Sequence, residues 1–245
     1  MNKETFNRSL NETFWYAKRT IQILFLVSLI VTVLYRRINP PITPLMVIRF
    51  FDQVVDGRDI TFDKHRVDIK KVSPNVIYAI VAGEDNNFVS HAGFDFDALY
   101  KALEYNLKHK TITLWWSTIS QQTAKNVFLW PGRDFLRKWL EAYFTLLIES
   151  FWDKERILEV YVNVVEFGDG VYGVQAAAQK YFHTTADKLT RSQAALLSAM
   201  LPNPRYYEDH LSSYRLMRRK GSILNGIGRV RNDPDNREFV QEIKE

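Results

Sequence analysis

The chain has 245 residues, enough for one well-buried domain with an appendage, and it has no cysteine. Disulfides, thiolate catalysis and cysteine zinc sites are therefore excluded. The net charge is +5, but residues 1–37 carry six basic against two acidic side chains, which leaves about +1 for the rest. A nucleic-acid-binding domain would concentrate the excess in its folded part, so no nucleic-acid partner is expected. The basic residues flank an apolar segment, which indicates a membrane surface instead.

The apolar segment has no charged residue across the sixteen positions from Thr20 to Tyr35, and Trp15 and Tyr16 precede it as interfacial anchors. A helix of that length reaches about 24 Å, short of the roughly 30 Å hydrocarbon core, but flanking Lys and Arg side chains can extend to the interface. The alternatives are a cleaved signal peptide or a buried helix, and no small-x-small cleavage site follows Tyr35. The segment predicts an uncleaved single span with the N-terminus inside.

A proline-rich linker then separates this anchor from the rest of the chain. Pro40, Pro41 and Pro44 cannot continue a helix, and residues 45–72 have no clear periodicity. Four parts are predicted: a basic cytoplasmic tail at 1–19, a transmembrane anchor at 20–36, a linker and irregular lead-in segment at 37–72, and a mainly α domain at 73–245.

The domain reads as a series of helices separated by caps and by glycine or proline stops. The first begins at a Ser73 cap with Pro74 at its first position, and its apolar face runs to Phe88. The others are predicted at 95–108, 117–128 with Ser117 as the cap, 134–151, 153–165 with Asp153 as the cap, 174–181, 190–200 starting at Thr190, and 214–228, with a turn-rich loop at 168–173.

Glu84 is the sharpest catalytic candidate, because it continues the apolar stripe of the first helix. Desolvation against apolar surface raises a carboxyl pKa toward the range useful for a general base. The alternative is a helix-end glutamate that turns outward to solvent, and position alone does not decide. Asp85 and His91 follow it and give weaker signals, because a histidine before Ala-Gly is more often a turn or capping partner.

Two further clusters carry polar chemistry. The helix from Ser117 presents hydrogen-bond donors on one side, which can bind a pyrophosphate or sugar hydroxyls; the alternative is a surface helix facing water. These donors are Thr118, Gln121, Gln122 and Lys125. Arg137, Lys138 and Glu141 form the second cluster, for which the simplest interpretation is a surface ion pair. Its large apolar neighbours indicate instead either a cleft or a paired interior, and in a cleft oxygen ligands would suit Mg²⁺ or Mn²⁺ beside a pyrophosphate.

Taken in order, these segments resemble the five motifs of the peptidoglycan glycosyltransferases, across about residues 72–205. The matching stretches are Glu84-Asp85-x-x-Phe88-x-x-His91-x-Gly93, Ser117-Thr118-Ile119-Ser120-Gln121-Gln122-x-x-Lys125-Asn126, Arg137-Lys138-x-x-Glu141-Ala142, Arg156-Ile157-Leu158-Glu159-x-Tyr161-x-Asn163, and Ala194 through Pro204. The resemblance is closest to the monofunctional biosynthetic type of Gram-negative bacteria.

The resemblance implies a mainly α, lysozyme-like glycosyltransferase domain on the periplasmic side of the cell inner membrane. It implies an enzyme that polymerises lipid II into glycan strands, inverts the anomeric carbon and releases undecaprenyl pyrophosphate. By the family pattern, Glu84 deprotonates the acceptor 4-hydroxyl. Glu141 is the second acid, which assists the leaving group directly or through a bound Mg²⁺ or Mn²⁺. No organic cofactor is expected.

The family pattern also implies the groups that bind substrate. Lys125, Arg137 and Lys138 match positions that stabilise pyrophosphate, while other residues of the second motif shape the donor site. The implied binding set is Asp85, Phe88, His91, Ser117, Thr118, Gln121, Gln122, Lys125, Asn126, Arg137 and Lys138. The implied partners are lipid II, the growing lipid-linked strand, the membrane, and proteins of division or cell-wall synthesis.

One stretch departs from the family pattern. The family usually has glycine before Ser-Thr-Ile, where this chain has Leu114-Trp115-Trp116. Glycine would permit a positive φ or a close approach of backbone to substrate. We hypothesise that Trp115 and Trp116 contact lipid, since tryptophan favours the membrane interface. The alternative is a constricted site with low activity.

Two rival functions follow from the same residues. A lysozyme-like lytic transglycosylase also uses a glutamate, but it cleaves uncharged glycan and does not need three cations and a second acid. A catalytically weak membrane scaffold of the cell-wall machinery would not need to keep both Glu84 and Glu141. A bifunctional penicillin-binding protein is excluded by length and by the lack of any Ser-x-x-Lys.

Overall fold

The computed structural model describes residues 3–109, 117–132 and 134–245, in two compact units that divide between Asn39 and Pro40. The first unit is built on helix α1, Lys3–Tyr35. Within it, Asn11–Tyr35 is 25 residues long and has the length and composition of a membrane span, with a mean hydropathy of 1.8 over its most apolar eighteen residues. The helix continues past the uncharged segment through Arg19 and Lys18, whose long side chains can extend to the interface, as expected for a short apolar segment.

The second unit is mainly α, as predicted. In chain order its elements are α2 (Pro44–Val55), β1 (Asp63–Lys64), a 3₁₀ turn (Ile69–Lys71), α3 (Pro74–Glu84), α4 (Phe96–His109), α5 (Ile119–Phe128), α6 (Phe135–Phe151), α7 (Lys154–Val164), β2 (Glu166–Gly168), β3 (Val171–Tyr172), α8 (Val174–Phe182), a 3₁₀ turn (Ala186–Lys188), α9 (Arg191–Met200), α10 (Pro204–Tyr207), α11 (Tyr214–Asn232) and α12 (Pro234–Lys244).

Helix α2 corrects the prediction of irregular structure after the linker. Thr43 caps it by accepting a hydrogen bond from the Met46 amide, and Pro44 occupies the first turn. The charged residues that obscured its periodicity pair with each other, since Arg49 Nη1 lies 3.3 Å from Asp52 Oδ2. A charged pair three positions apart is compatible with a helix face.

Several other boundaries differ from the prediction. Helix α3 ends at Glu84, so Phe88 lies in the following loop and does not continue the helical stripe. The cap of α5 is Thr118 and not Ser117, because the Thr118 side chain reaches the Gln121 amide. The predicted 168–173 loop contains the turn of a short hairpin, β2–β3, and α12 was not predicted. The caps at Ser73 and Asp153 are confirmed, and the helix predicted to start at Thr190 is capped by that residue.

Two helix groups build the core of this unit. Helix α3 packs against α9 and α11, and α5 packs against α6 and α7. The contact of α3 with α9 is close at Gly83, where a Cβ atom would lie 2.3 Å from Ser198 Oγ. That hydroxyl donates to the Ala79 carbonyl at 2.8 Å. Glycine at position 83 therefore lets the end of α3, which carries Glu84, sit directly on α9.

A small three-stranded sheet, ordered β1-β3-β2, joins two segments of the unit that are about a hundred residues apart in the chain. Strand β1 runs parallel to β3, with Asp63 opposite Val171, and β2 runs antiparallel to β3, with Glu166 opposite Tyr172. Gly170 shapes the hairpin turn with a φ of 74°, and a Cβ atom there would meet the Thr61 carbonyl oxygen at 2.0 Å. The sheet thereby ties the segment after α2 to the chain that follows α7.

Candidate active site

Glu84 lies at the C-terminal end of α3 with 11% of its side chain exposed, so it does not turn outward to solvent. Gln122 Nε2 on α5 donates to Glu84 Oε2 at 2.7 Å. An Arg219 guanidinium nitrogen on α11 donates to Oε1 at 2.8 Å. Burial raises the pKa of Glu84, while Arg219 and the Gln122 hydrogen bond partly offset that rise. The result is a desolvated carboxylate that is oriented by two donors.

The amide of Gln122 is itself held from the opposite side. Tyr161 on α7 is fully buried, and its hydroxyl donates to Gln122 Oε1 at 3.1 Å. Burial raises the pKa of Tyr161 well above its usual value, so the phenol keeps its proton. A chain of hydrogen bonds therefore runs from α7 through α5 to the end of α3.

The second acidic centre lies on α6. Glu141 Oε2 accepts from Arg137 Nη1 at 2.9 Å, and Oε1 accepts from Lys138 Nζ at 2.5 Å. The side chains of Arg137 and Glu141 are 9% and 3% exposed, so the surface ion-pair interpretation is wrong for this pair. Removing one partner of such a pair would leave the other charge buried and uncompensated.

Lys125 on α5 links the two acidic centres electrostatically. Burial lowers its pKa, and attraction to Glu141 and Glu84 raises it in part. Arg137 and Lys138 repel the same ammonium and add to the lowering. The cluster therefore contains three cations around one carboxylate, and an anionic ligand there would relieve the repulsion among them.

The donor set around Glu141 does not fit a divalent metal ion held by the protein. Both carboxylate oxygens already accept hydrogen bonds from cationic side chains, and Lys125 adds a third cation. Over the described ranges, no group of three or more histidine or acidic side chains could hold a metal ion. In this structure Glu141 pairs with Arg137 and Lys138, and a metal ion held there together with a bound pyrophosphate stays a prediction.

Asp85 and His91 form a support next to Glu84. The Asp85 side chain is almost fully buried and accepts from the Ile119 amide at the start of α5 at 3.0 Å. His91 Nε2 lies 3.0 Å from the Asp85 carboxylate. These contacts fasten the loop after α3 to the N-terminus of α5, and so position Gln122 relative to Glu84.

Three other residues of the implied binding set have interior contacts. Thr118 and Gln121 cap α5 reciprocally, and the Thr118 hydroxyl also donates to the Gly93 carbonyl at 2.7 Å. Phe88 is fully buried, with the Lys154 ammonium 4.7 Å from the centre of its ring. These contacts stabilise the loop and the helix start, and direct binding of substrate by Thr118, Gln121 and Phe88 stays a prediction.

A cavity of about 270 Å³ opens beside Lys125. Helix α5 contributes Gln122, Lys125 and Asn126 to its wall, and Trp130 and Asn203 are among the residues on other sides. Amides beside an indole ring are groups that can hold a sugar ring and its hydroxyls. The cavity therefore places such groups in the same wall as the Lys125 side chain.

Two site predictions have different outcomes in the structure. Ser117 contributes its carbonyl, which accepts from Gln122 Nε2 at 3.4 Å, and no side-chain contact to the site is seen for it in the described residues. Trp115 and Trp116 lie outside the described residues, so the lipid-contact hypothesis stays a hypothesis.

Arg219 is a site residue that the sequence analysis missed, because nothing in the charged stretch around it distinguishes it from its neighbours.

Comparison with known proteins adds to this geometry. The sequence model of the transglycosylase family matches residues 54–227. The chain belongs to the transglycosylase family. The resemblance found in the five motifs is thereby confirmed, as is the lysozyme-like, mainly α class of the domain.

Related members of the transglycosylase family cover nearly the whole chain. The biosynthetic peptidoglycan transglycosylase of Bdellovibrio bacteriovorus is 49% identical over 213 residues, which are 87% of this chain and 84% of that protein. The protein of the same name from Caulobacter vibrioides is 49% identical over 214 residues, 86% and 90% of the two chains. That of Bacteroides thetaiotaomicron is 46% identical over 209 residues, 85% and 84%.

Proposed function

We propose that this transglycosylase is a peptidoglycan glycosyltransferase that polymerises lipid II and releases undecaprenyl pyrophosphate. One observation carries the proposal: α5 lies between a desolvated carboxylate, Glu84, and a cation-rich centre around Glu141. The first centre suits an acceptor hydroxyl, and the second suits an anionic leaving group. The names of the relatives supply the substrate class.

In the acceptor step, Glu84 removes the proton of the 4-hydroxyl as that oxygen attacks the anomeric carbon. The C–O bond to the pyrophosphate breaks on the opposite face, so the configuration inverts. Burial raises the pKa of Glu84 and makes the carboxylate a stronger base. Gln122 donates to one oxygen of Glu84 and Arg219 donates to the other, so each oxygen has one lone pair in use. A carboxylate has about four lone-pair sites, and the remaining ones stay available for the substrate proton.

In the leaving-group step, Lys125, Arg137 and Lys138 stabilise the charge that develops on the pyrophosphate. Preorganised cations in a desolvated site lower such a barrier without reorganising during the reaction. Glu141 supports this step by holding Arg137 and Lys138 in place. The predicted role of Mg²⁺ or Mn²⁺ at Glu141 finds no support in this donor set.

We also propose that the domain works on the periplasmic face of the inner membrane. The apolar span of α1 supports membrane anchoring. Helix α4 exposes large apolar side chains at helical spacing, which suits contact with a lipid surface. They are Phe96, Leu99, Leu103 and Leu107. A lipid-linked substrate would enter from that surface.

Glycan polymerisation from lipid II by the full-length protein in detergent tests the function. We expect polymer from the wild type, and a loss of about 10²-fold or more for Glu84→Gln, because general-base catalysis contributes that much. Hydrolysis of purified cell wall without polymerisation would establish the lytic alternative. Unchanged polymerisation by Glu84→Gln would overturn the assignment of the base.

A further inference from the structure

We propose that Tyr161 and Arg219 are positioning residues that hold the two oxygens of Glu84 from opposite sides and fix the base for the acceptor hydroxyl. The inference rests on the proposed function, since it concerns the same base. Neither residue was assigned a role from the sequence, and each is brought to the site by a different helix.

Arg219 fixes the carboxylate to the end of its own helix. One guanidinium nitrogen donates to Glu84 Oε1 at 2.8 Å and to the Gly83 carbonyl at 3.1 Å. Helix α11 packs closely on α3 at Gly226. A Cβ atom added there would lie only 3.3 Å from Ala82 Cβ. The position of Arg219 is therefore set by helix packing, and a cation beside the last carbonyls of α3 also complements the helix dipole.

Tyr161 fixes the second oxygen through Gln122. A glutamine amide can present either its oxygen or its NH₂ group to a neighbour, and only the NH₂ group can donate to a carboxylate. The Tyr161 hydroxyl donates to Gln122 Oε1 at 3.1 Å, which directs Nε2 to Glu84 at 2.7 Å. Without the phenol, a turned amide would place an oxygen against the carboxylate and repel it.

The charges around Glu84 decide the direction of the pH effect. Lys125 on α5 and Arg219 on α11 face it and lower its pKa. Tyr161 on α7 interacts with Glu84 as well, and Asp85 follows Glu84 in the chain. Helix α9 carries one titratable residue, Arg191, whose guanidinium donates to the Leu224 carbonyl. Removing Arg219 takes away the largest opposing influence on the pKa.

The first test is the pH dependence of kcat/KM for lipid II in Arg219→Gln. The base must be ionised, so the rate falls as pH drops through its pKa, and loss of the cation should move that limb upward by about one pH unit. Arg218→Gln on the same helix changes charge equally at an exposed position and should keep the wild-type profile. Arg219→Lys keeps a positive charge and should therefore bring the acidic limb part of the way back to its wild-type position. An unmoved acidic limb in Arg219→Gln, with a uniformly lower rate, would overturn the role of Arg219.

The second test is Tyr161→Phe, which keeps the buried ring and removes the hydroxyl. We expect kcat to fall about tenfold with KM for lipid II unchanged, since one tenfold step corresponds to loss of about one hydrogen bond's contribution. Tyr181→Phe removes a similar phenol bond, to the Phe167 carbonyl at 2.8 Å, and should leave kcat unchanged. A wild-type kcat in Tyr161→Phe, or a change confined to KM, would overturn the role of Tyr161.

Glu84→Gln separates failure of this inference from failure of the proposed function. If Glu84→Gln keeps its activity, Glu84 is not the base and both ideas fall. If Glu84→Gln is inactive while Tyr161→Phe and Arg219→Gln retain the wild-type rate and pH profile, the proposed function stands and only the positioning inference falls.

Discussion

At the scale of single residues, the two glutamates of the site are each held by cationic or hydrogen-bond-donating side chains. Glu84 is held by Arg219 and Gln122, and Glu141 by Arg137 and Lys138. The first arrangement leaves a basic carboxylate, whereas the second leaves excess positive charge. Two glutamates of the same intrinsic acidity therefore acquire different chemistry from their surroundings.

The buried pair of Arg137 and Glu141 predicts strong coupling between the two residues. Glu141→Gln should lower the free energy of unfolding by about 3–5 kcal/mol, because it leaves the Arg137 charge buried without a partner. Arg137→Gln with Glu141→Gln should cost less than the sum of the single changes. Urea denaturation of the four proteins measures this, and additive losses would contradict the coupling. Lys180→Gln, which breaks a more exposed pair with Glu208, should cost under about 1 kcal/mol.

At the scale of helices, the position of Glu84 depends on the close contact of α3 with α9. Gly83→Ala should destabilise the domain and reduce polymerisation, because its Cβ atom would clash with Ser198 Oγ and displace the end of α3. Gly221→Ala is the matched control, since nothing lies within 4 Å of that Cβ on helix α11. It should stabilise by about 0.4–1 kcal/mol. Adding Ser198→Ala should relieve part of the Gly83→Ala defect in thermal melting, and a full defect would contradict the clash.

Local patterns account for most helices and caps, but not for contacts between distant segments. The Ser73-Pro74 start and the Asp153 and Thr190 caps are short-range signals, and they were predicted correctly. Helix α12 was missed even though Asp233 and Pro234 give the same kind of start signal, because the surrounding residues are mostly charged. Its apolar contact is supplied by distant groups, such as Phe239 against Phe88.

In the site, too, contacts between distant segments could not be predicted from local sequence patterns. Glu84 and the α5 donors could be predicted, because each continues a pattern on its own helix. Arg219 lies 135 residues after Glu84, and only the packing of α11 on α3 brings the two together. The pairing of both Glu141 oxygens with cations is likewise a property of rotamers and burial, which spacing does not reveal. The metal role predicted for Glu141 stays a prediction.

At the scale of the whole molecule, the proposed membrane association would have two separate sources: the α1 span and the exposed apolar residues of the domain. The second unit begins at Pro40, and the Lys64 ammonium bonds to the carbonyls of Pro40 and Pro41. A variant that starts at Pro40 keeps these contacts. We therefore expect it to fold and melt at the temperature of the full-length domain.

The variant that starts at Pro40 should still bind vesicles of zwitterionic lipid, because α4 can bury its apolar side chains in the interface. Changing Leu99, Leu103 and Leu107 to serine should weaken that binding about tenfold or more without lowering the melting temperature, since all three are more than half exposed. The control changes Lys101, Glu104 and Lys108, which are exposed polar residues of the same helix, to serine. Co-sedimentation with vesicles measures the binding. Equal binding by the two triple variants would show that α4 does not contact the membrane, and would leave α1 as the anchor.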